Sequence, residues 1–176
     1  TTCFCGYEKL KLVTHCNEAS YVLSEYYVYK TYNVLTNNSF RVRLAKITYL
    51  DISGIYLPQT QFAFFLEDET LLADRLNGQI CQIEMVERNN IDKNHLLFIH
   101  LFQYMIANQD WDFELGKNIK FVYTGEKFIP IAYDFDLSGA VDSKYPFMES
   151  IFGTKPTDRR TYKSLCVEKD NYTRIF

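Results

Sequence analysis

Between Asn90 and Asp136 the apolar residues change period abruptly. Leu96, Ile99, Phe102, Met105 and Ile106 recur at helical spacing through Asn108. A polar stretch, NQDWDFELGKN, follows, and then two short apolar runs, 118–123 and 128–133, meet across Thr124-Gly125-Glu126-Lys127. A long amphipathic helix running into a tight antiparallel hairpin can bury both apolar faces by packing one on the other. That sequence of periods predicts an α+β body with helix 91–108 against hairpin 118–133.

The first half carries the same alternation of elements. Glu8 to Thr14 alternates charged and apolar residues and predicts a short strand. Asn17 and Glu18 look like a helix start, and Val22, Tyr26, Tyr29 and Tyr32 or Asn33 line one face as far as Leu35. Strands are expected over Phe40–Leu50 and Gln61–Leu66, joined by the turn signal Asp51 to Gly54. Glu67-Asp68-Glu69 opens a short helix through Leu76, and 78–88 reads equally as strand or loop. Past Gly139 the pattern weakens to short helices around Tyr145–Phe152 and Arg159–Leu165. No repeat or linker divides the chain. It reads as one compact unit over 1–176, with a small lobe of about 1–67, a larger lobe of about 68–176, and a hinge near Glu67–Glu69.

Composition removes several function classes. With 176 residues, 47% of them hydrophobic, the chain has ample material for a core, and a net charge of −3 is too neutral for bulk nucleic-acid binding. The seven glycines never fall in a G-x-G-x-x-G or Walker spacing, which argues against a glycine-rich phosphate cradle. The longest apolar tract, Leu96 to Ala107, is interrupted by His100 and Gln103 and falls short of the ~20 residues a membrane span needs. Cys3, Cys5, Cys16, Cys81 and Cys166 show no zinc or redox spacing, so they leave the compartment open. A start at Thr1 without Met is expected of a trimmed product.

The densest polar constellation spans 108–118 and 130–139. Asp110 and Asp112 sit on the bend after the helix, Asn118 opens the hairpin, and Asp134 and Asp136 close it. A helix, bend and hairpin bring the bend beside the end of the second strand, so four carboxylates and an amide converge on one rim. An oxygen-only donor set of this kind suits Mg²⁺ or Mn²⁺ with phosphate, not zinc. Asp134 and Asp136, at i and i+2, face the same way if the strand continues. Asp and Asn are also ordinary turn formers, and for Asp112 that is the preferred reading.

The order helix, D…N, hairpin, D-F-D resembles the catalytic core of the protein-kinase-like fold. The resemblance implies that Asp110 matches the catalytic aspartate, Asn118 the metal-binding asparagine, and Asp134 the D-F-G aspartate, with Asp136 as a second metal ligand. It also implies Lys11, or Lys9 on the same strand face, as the phosphate-pairing lysine, Glu25 as its ion-pair partner, and Glu67-Asp68 as hinge. The eight-residue gap from Asp110 to Asn118, the lack of H-R-D, and Asp136 in place of the D-F-G glycine are closer to the atypical CotH-like and HipA-like kinases. Nearly the whole chain is similar in phrasing to a family of mostly exported bacterial proteins widespread in Bacteroidetes. The shared phrases are KLKLV, EYYVYKTYNVLT, SFRVRLAKITYLD, FFLED with LADRL, MIANQDW, PIAYDFDLSG and TDRRTYKSL. This likeness implies a fold and an exported (periplasmic or extracellular) location, but no reaction.

The expectation is therefore a protein-kinase-like α+β fold, with a small β-rich lobe and a reduced helical lobe carrying the catalytic-loop hairpin. It would bind ATP with Mg²⁺ or Mn²⁺ and have a capacity for phosphoryl transfer to an acceptor, protein or small molecule. Two alternatives use the same acidic rim: a non-catalytic secreted pseudokinase-like module binding a partner, glycan or Ca²⁺, and a metal-dependent hydrolase built on Asp110, Asp134 and Asp136. Other groups read more plainly. His100 lies within an apolar helix and suits a core or edge position, and His15 with Cys16 lacks a third orienting group for hydrolase chemistry. Arg41 and Arg43 share a strand face, with Lys46 nearby, and are expected to be solvated. The tyrosines of helix 20–32 are expected to pack in the core.

Overall fold

The computed structural model describes residues 9–14, 18–143 and 160–163. Among the described residues it is α+β, with three helices and two small antiparallel sheets. The first sheet has the order β1-β3-β2, from Lys11–Thr14, Val42–Tyr49 and Gln59–Leu66. Helix α1, Ala19–Leu35, connects β1 to β2 and packs on β3. Its inward face comprises Val22, Glu25, Val28, Tyr29 and Tyr32, so the stripe expected from the sequence carries a carboxylate in its midst. Glu18 occupies the N-cap without a side-chain bond, and the expected cap Asn17 lies outside the described residues.

Register in the first sheet follows burial. Val42 and Lys11 both sit opposite Leu66, which places Ala63, Phe64 and Leu66 of the central strand in the core. Beyond Leu66 the chain crosses at Glu67 and enters α2, Glu69–Arg75, whose N-cap Asp68 accepts from the Thr70 N–H at 2.8 Å. Arg75 then reaches back. Its guanidinium donates to Glu67 twice, at 3.0 and 2.8 Å, and to the carbonyls of Asn37 and Ser39 at 2.7 Å each.

The second sheet has the order β4-β5-β6, from Gln79–Cys81, Ile119–Tyr123 and Phe128–Ala132. The ambiguous segment 78–88 thus resolves into a three-residue strand and a 3₁₀ turn, Ile83–Met85. Gly78 is required there, since a Cβ would lie 2.6 Å from the Tyr123 carbonyl oxygen. Helix α3, Lys93–Met105, is capped by Asp92, which accepts from the His95 N–H at 3.0 Å and whose own N–H donates to the Phe128 carbonyl at 2.9 Å. That tie fixes the helix across β6. One aromatic core joins the two halves: Phe135 meets Tyr29, Phe102 and Tyr32 edge to face, with ring centres 4.7, 5.7 and 5.9 Å apart. The expected helix 159–165 does not form over 160–163, which are irregular, and its remainder and the helix around 145–152 lie outside the described residues.

Candidate functional site

The bend after α3 is assembled from backbone constraints. Ala107 takes a left-handed conformation (φ 53°), which turns the chain out of the helix, and buried Asn108 accepts from the Asp110 N–H at 2.9 Å. Asp112 and Lys117 exchange backbone hydrogen bonds at 3.0 and 2.8 Å, and the Asp112 carboxylate accepts from the Leu115 N–H at 3.0 Å. Asp112 therefore shapes the turn, as its residue type suggested. Asp110 is buried, and both its oxygens are engaged. Lys117 Nζ donates to Oδ1, and Asn118 Nδ2 donates to Oδ2 at 3.0 Å and to the Asp110 carbonyl at 2.5 Å. Asn118 is itself left-handed (φ 55°), a conformation its short amide side chain tolerates.

The D-F-D segment is organised by its middle residue. Phe135 is fully buried, which leaves Asp134 and Asp136 half-buried on either side. The strand does not continue through them. It ends at Ala132, and Asp134 is left-handed (φ 62°), its N–H donating to the Tyr29 hydroxyl at 2.8 Å. The i, i+2 argument for their common direction thus fails, although the two carboxylates remain within electrostatic reach of each other.

Charge is poorly balanced here. Glu25 is 5% exposed, and burial pushes its carboxyl up to about 8, with Asp136 and Asp134 adding to the rise and Lys11 opposing it. Burial raises Asp136 to about 6, helped by the charges of Asp134 and Asp110. Burial also raises Asp134, opposed first by Lys11. The structure therefore brings Lys11, Glu25, Asp110, Asn118, Asp134 and Asp136 into one electrostatic neighbourhood drawn from both sheets' halves of the chain. Among the described residues no ion pair joins Lys11 to Glu25; Lys11 instead lies over the Tyr133 ring, 5.7 Å from its centre. Lys9 parts company with Lys11: it precedes β1 and acts on Asp68 at the start of α2.

Three contributors were not singled out from the sequence. Lys117 bridges to Asp110, and its place directly before Asn118 is the signal that marks it. Tyr29 follows Glu25 by one helical turn on the same buried face, a spacing that predicts proximity but not the bond to Asp134. Lys163 donates to the carbonyls of Gln109 at 3.0 Å and Trp111 at 2.6 Å, straddling Asp110, and burial lowers its pKa. Nothing in sequence spacing announces that contact.

An oxygen-only divalent cation fits the donor chemistry and the excess negative charge of this cluster. Among the described residues, however, no three His, Cys, Asp or Glu side chains stand close enough together to ligate one ion as placed. A separate cleft of about 270 Å³, lined by Ile83, Val86, Ile91 and Phe113 with Glu84, Arg88 and Glu114 at its edge, includes none of the acidic cluster. Among the described residues no helix is long and apolar enough to cross a membrane. No family model, curated protein or solved structure matches this chain.

Proposed function

We propose that the acidic cluster is a site for nucleotide with Mg²⁺ or Mn²⁺, in a protein-kinase-like core with a capacity for phosphoryl transfer. One observation carries this reading: three half-buried or buried acids, Glu25, Asp134 and Asp136, lie within electrostatic reach of one another, and all are raised first by burial and then, at Glu25 and Asp136, by neighbouring carboxylates, with Lys11 opposing the rise only at Glu25 and Asp134. A divalent cation supplies counter-charge and, when bound, neutralises phosphate oxygens. Asn118, Asp134 and Asp136 would hold it. Asp110 would orient an acceptor hydroxyl, since each of its oxygens keeps a lone pair beside the bond from Lys117 or Asn118. Lys11 would draw in the phosphates, and Glu25 would tune the charge around them. The likeness to exported bacterial proteins fits an exported location for this activity.

Melting with Mg²⁺, Mn²⁺ or Ca²⁺, each with and without ATP, tests the reading. A rise of about 5 °C that needs both nucleotide and Mg²⁺ or Mn²⁺, and that Asp134→Ala abolishes, is the expected result. Asp110→Asn should keep the rise and lose transfer of the γ-phosphoryl group. A rise with Ca²⁺ alone would assign the cluster to a non-catalytic binding module, and no rise under any condition overturns both readings.

A further inference from the structure

The tip of the β2–β3 hairpin stands apart from the acidic cluster and has an unusual surface. Leu50, Ile52, Ile55, Tyr56 and Leu57 are all exposed there, Ile52 at 104% and Leu57 at 85%. Single exposed apolar residues are ordinary, but five within eight positions of one loop are not.

The loop is also stripped of free polar groups. From Lys46 to Glu67 the chain carries one charge between those two residues, Asp51. Its carboxylate accepts from the N–H groups of Ser53, Ile55 and Tyr56 at 2.9 Å each and from the Ser53 hydroxyl at 2.7 Å. The Asp51 carbonyl accepts from the Gly54 N–H at 3.2 Å, and Pro58 has no N–H to satisfy. Four successive backbone donors, 53 to 56, are thus closed within the turn while the apolar side chains point outward. Unpaired backbone donors are costly in a hydrocarbon environment, and this turn closes four of its own before any partner arrives.

We infer that the β2–β3 tip is a membrane-docking loop, inserting Leu50, Ile52, Ile55, Tyr56 and Leu57 into the apolar boundary of an anionic bilayer while the body stays in water. The apolar residues are confined to the turn at the end of the hairpin, so a shallow insertion buries them without the strands. Charge favours an anionic surface. Lys46 is exposed on β2 about 13 Å below Leu50 at the usual rise per residue, and Arg43 and Arg41 are exposed further down the same hairpin. The tip would enter the acyl boundary as the lysine meets the headgroups.

Flotation with phosphatidylcholine vesicles carrying phosphatidylglycerol tests this with the full chain. The wild type should float, and the double variant Ile52→Asp, Leu57→Asp should lose about tenfold or more in partitioning, because two apolar anchors are replaced by charge. Both positions are solvent-facing, so the melting temperature should hold. Lys46→Glu should weaken binding to anionic vesicles only. Tyr56→Trp should give an emission that shifts to the blue on vesicles. Absence of vesicle binding by the wild type, or binding the double variant retains, overturns the inference. So does a wild type that self-associates without lipid and becomes monomeric in the double variant, which would assign the tip to a second copy of the chain.

Discussion

Asp51 and Asp134 occupy equivalent places, each two residues past the end of a strand, yet their carboxylates meet opposite fates. Asp51 collects donors from its own loop, led by the Ser53 hydroxyl, and is held down at about 2. The Asp134 carboxylate accepts no hydrogen bond among the described residues, and burial raises it. Glu67 is an enclosed carboxylate that has partners. It is nearly as enclosed as Glu25, but Arg75 pairs with it bidentately and the Arg41 N–H donates to it at 3.0 Å. A carboxylate with its acceptors filled is a finished piece of structure. At Glu25 and Asp136 the only hydrogen-bond donors opposing burial are backbone N–H groups, and Asp134 has none, so among the described residues these three carboxyls are left without a cationic side chain bonded to them.

The comparison is broken most severely at its paired buried member. Arg75→Ala should cost about 3 kcal/mol, because it strands Glu67 and leaves two carbonyls unpaired where α1, β2 and α2 meet. Chemical denaturation reads this directly. A loss well under 1 kcal/mol would mean that solvent satisfies the Glu67 pocket as well as Arg75 does, and the contrast with Glu25 would then collapse.

At Glu25 the expected sign is reversed. Below pH 4.5 the carboxyl is protonated whether the chain is folded or not, so it contributes no pH dependence. Above that the unfolded chain ionises and the folded protein holds its proton, so stability falls as pH rises, until the folded group itself ionises near 8. Across that window the loss should be on the order of 5 kcal/mol, and Glu25→Gln should remove most of it. The variant would then be more stable than the wild type at pH 8 and nearly equal at pH 4.5. Equal pH slopes in the two proteins would show that Glu25 is neutralised by something else, with Lys11 the first candidate.

Much of this layout was legible in the sequence, for identifiable reasons. Helix α3, hairpin β5–β6 and the β2–β3 pair are long or strictly periodic, and their expected bounds fall within three residues of those observed. The gathering of Asp110, Asn118 and Asp134 followed from that order of elements. Two things did not follow. A common direction for Asp134 and Asp136 needs the strand to continue past PIAY, whereas Phe135 is buried against Tyr29 and Asp134 is left-handed, its N–H bonded to the Tyr29 hydroxyl. Lys9 was grouped with Lys11 by alternation, but the described strand begins only at Lys11. Long-range contacts such as Lys163 with the carbonyls around Asp110 leave no periodic trace at all.

The smallest effect is expected at Asp51, and it sharpens the comparison because the group is exposed and already satisfied. Its folded pKa is lowered, so whatever it contributes is present above about 3.8 and is lost only as pH falls toward about 2. Between pH 5 and 9 the wild type and Asp51→Ala should therefore run parallel, with melting temperatures nearly the same. What should change is local. The N–H groups of Ser53, Ile55 and Tyr56 lose their common acceptor, and their hydrogen exchange should quicken by about tenfold while the β2–β3 ladder below stays protected. If those amides keep their protection, the carboxylate is not what closes the turn. Asp51 would then be no better an example of a completed carboxylate than Asp134.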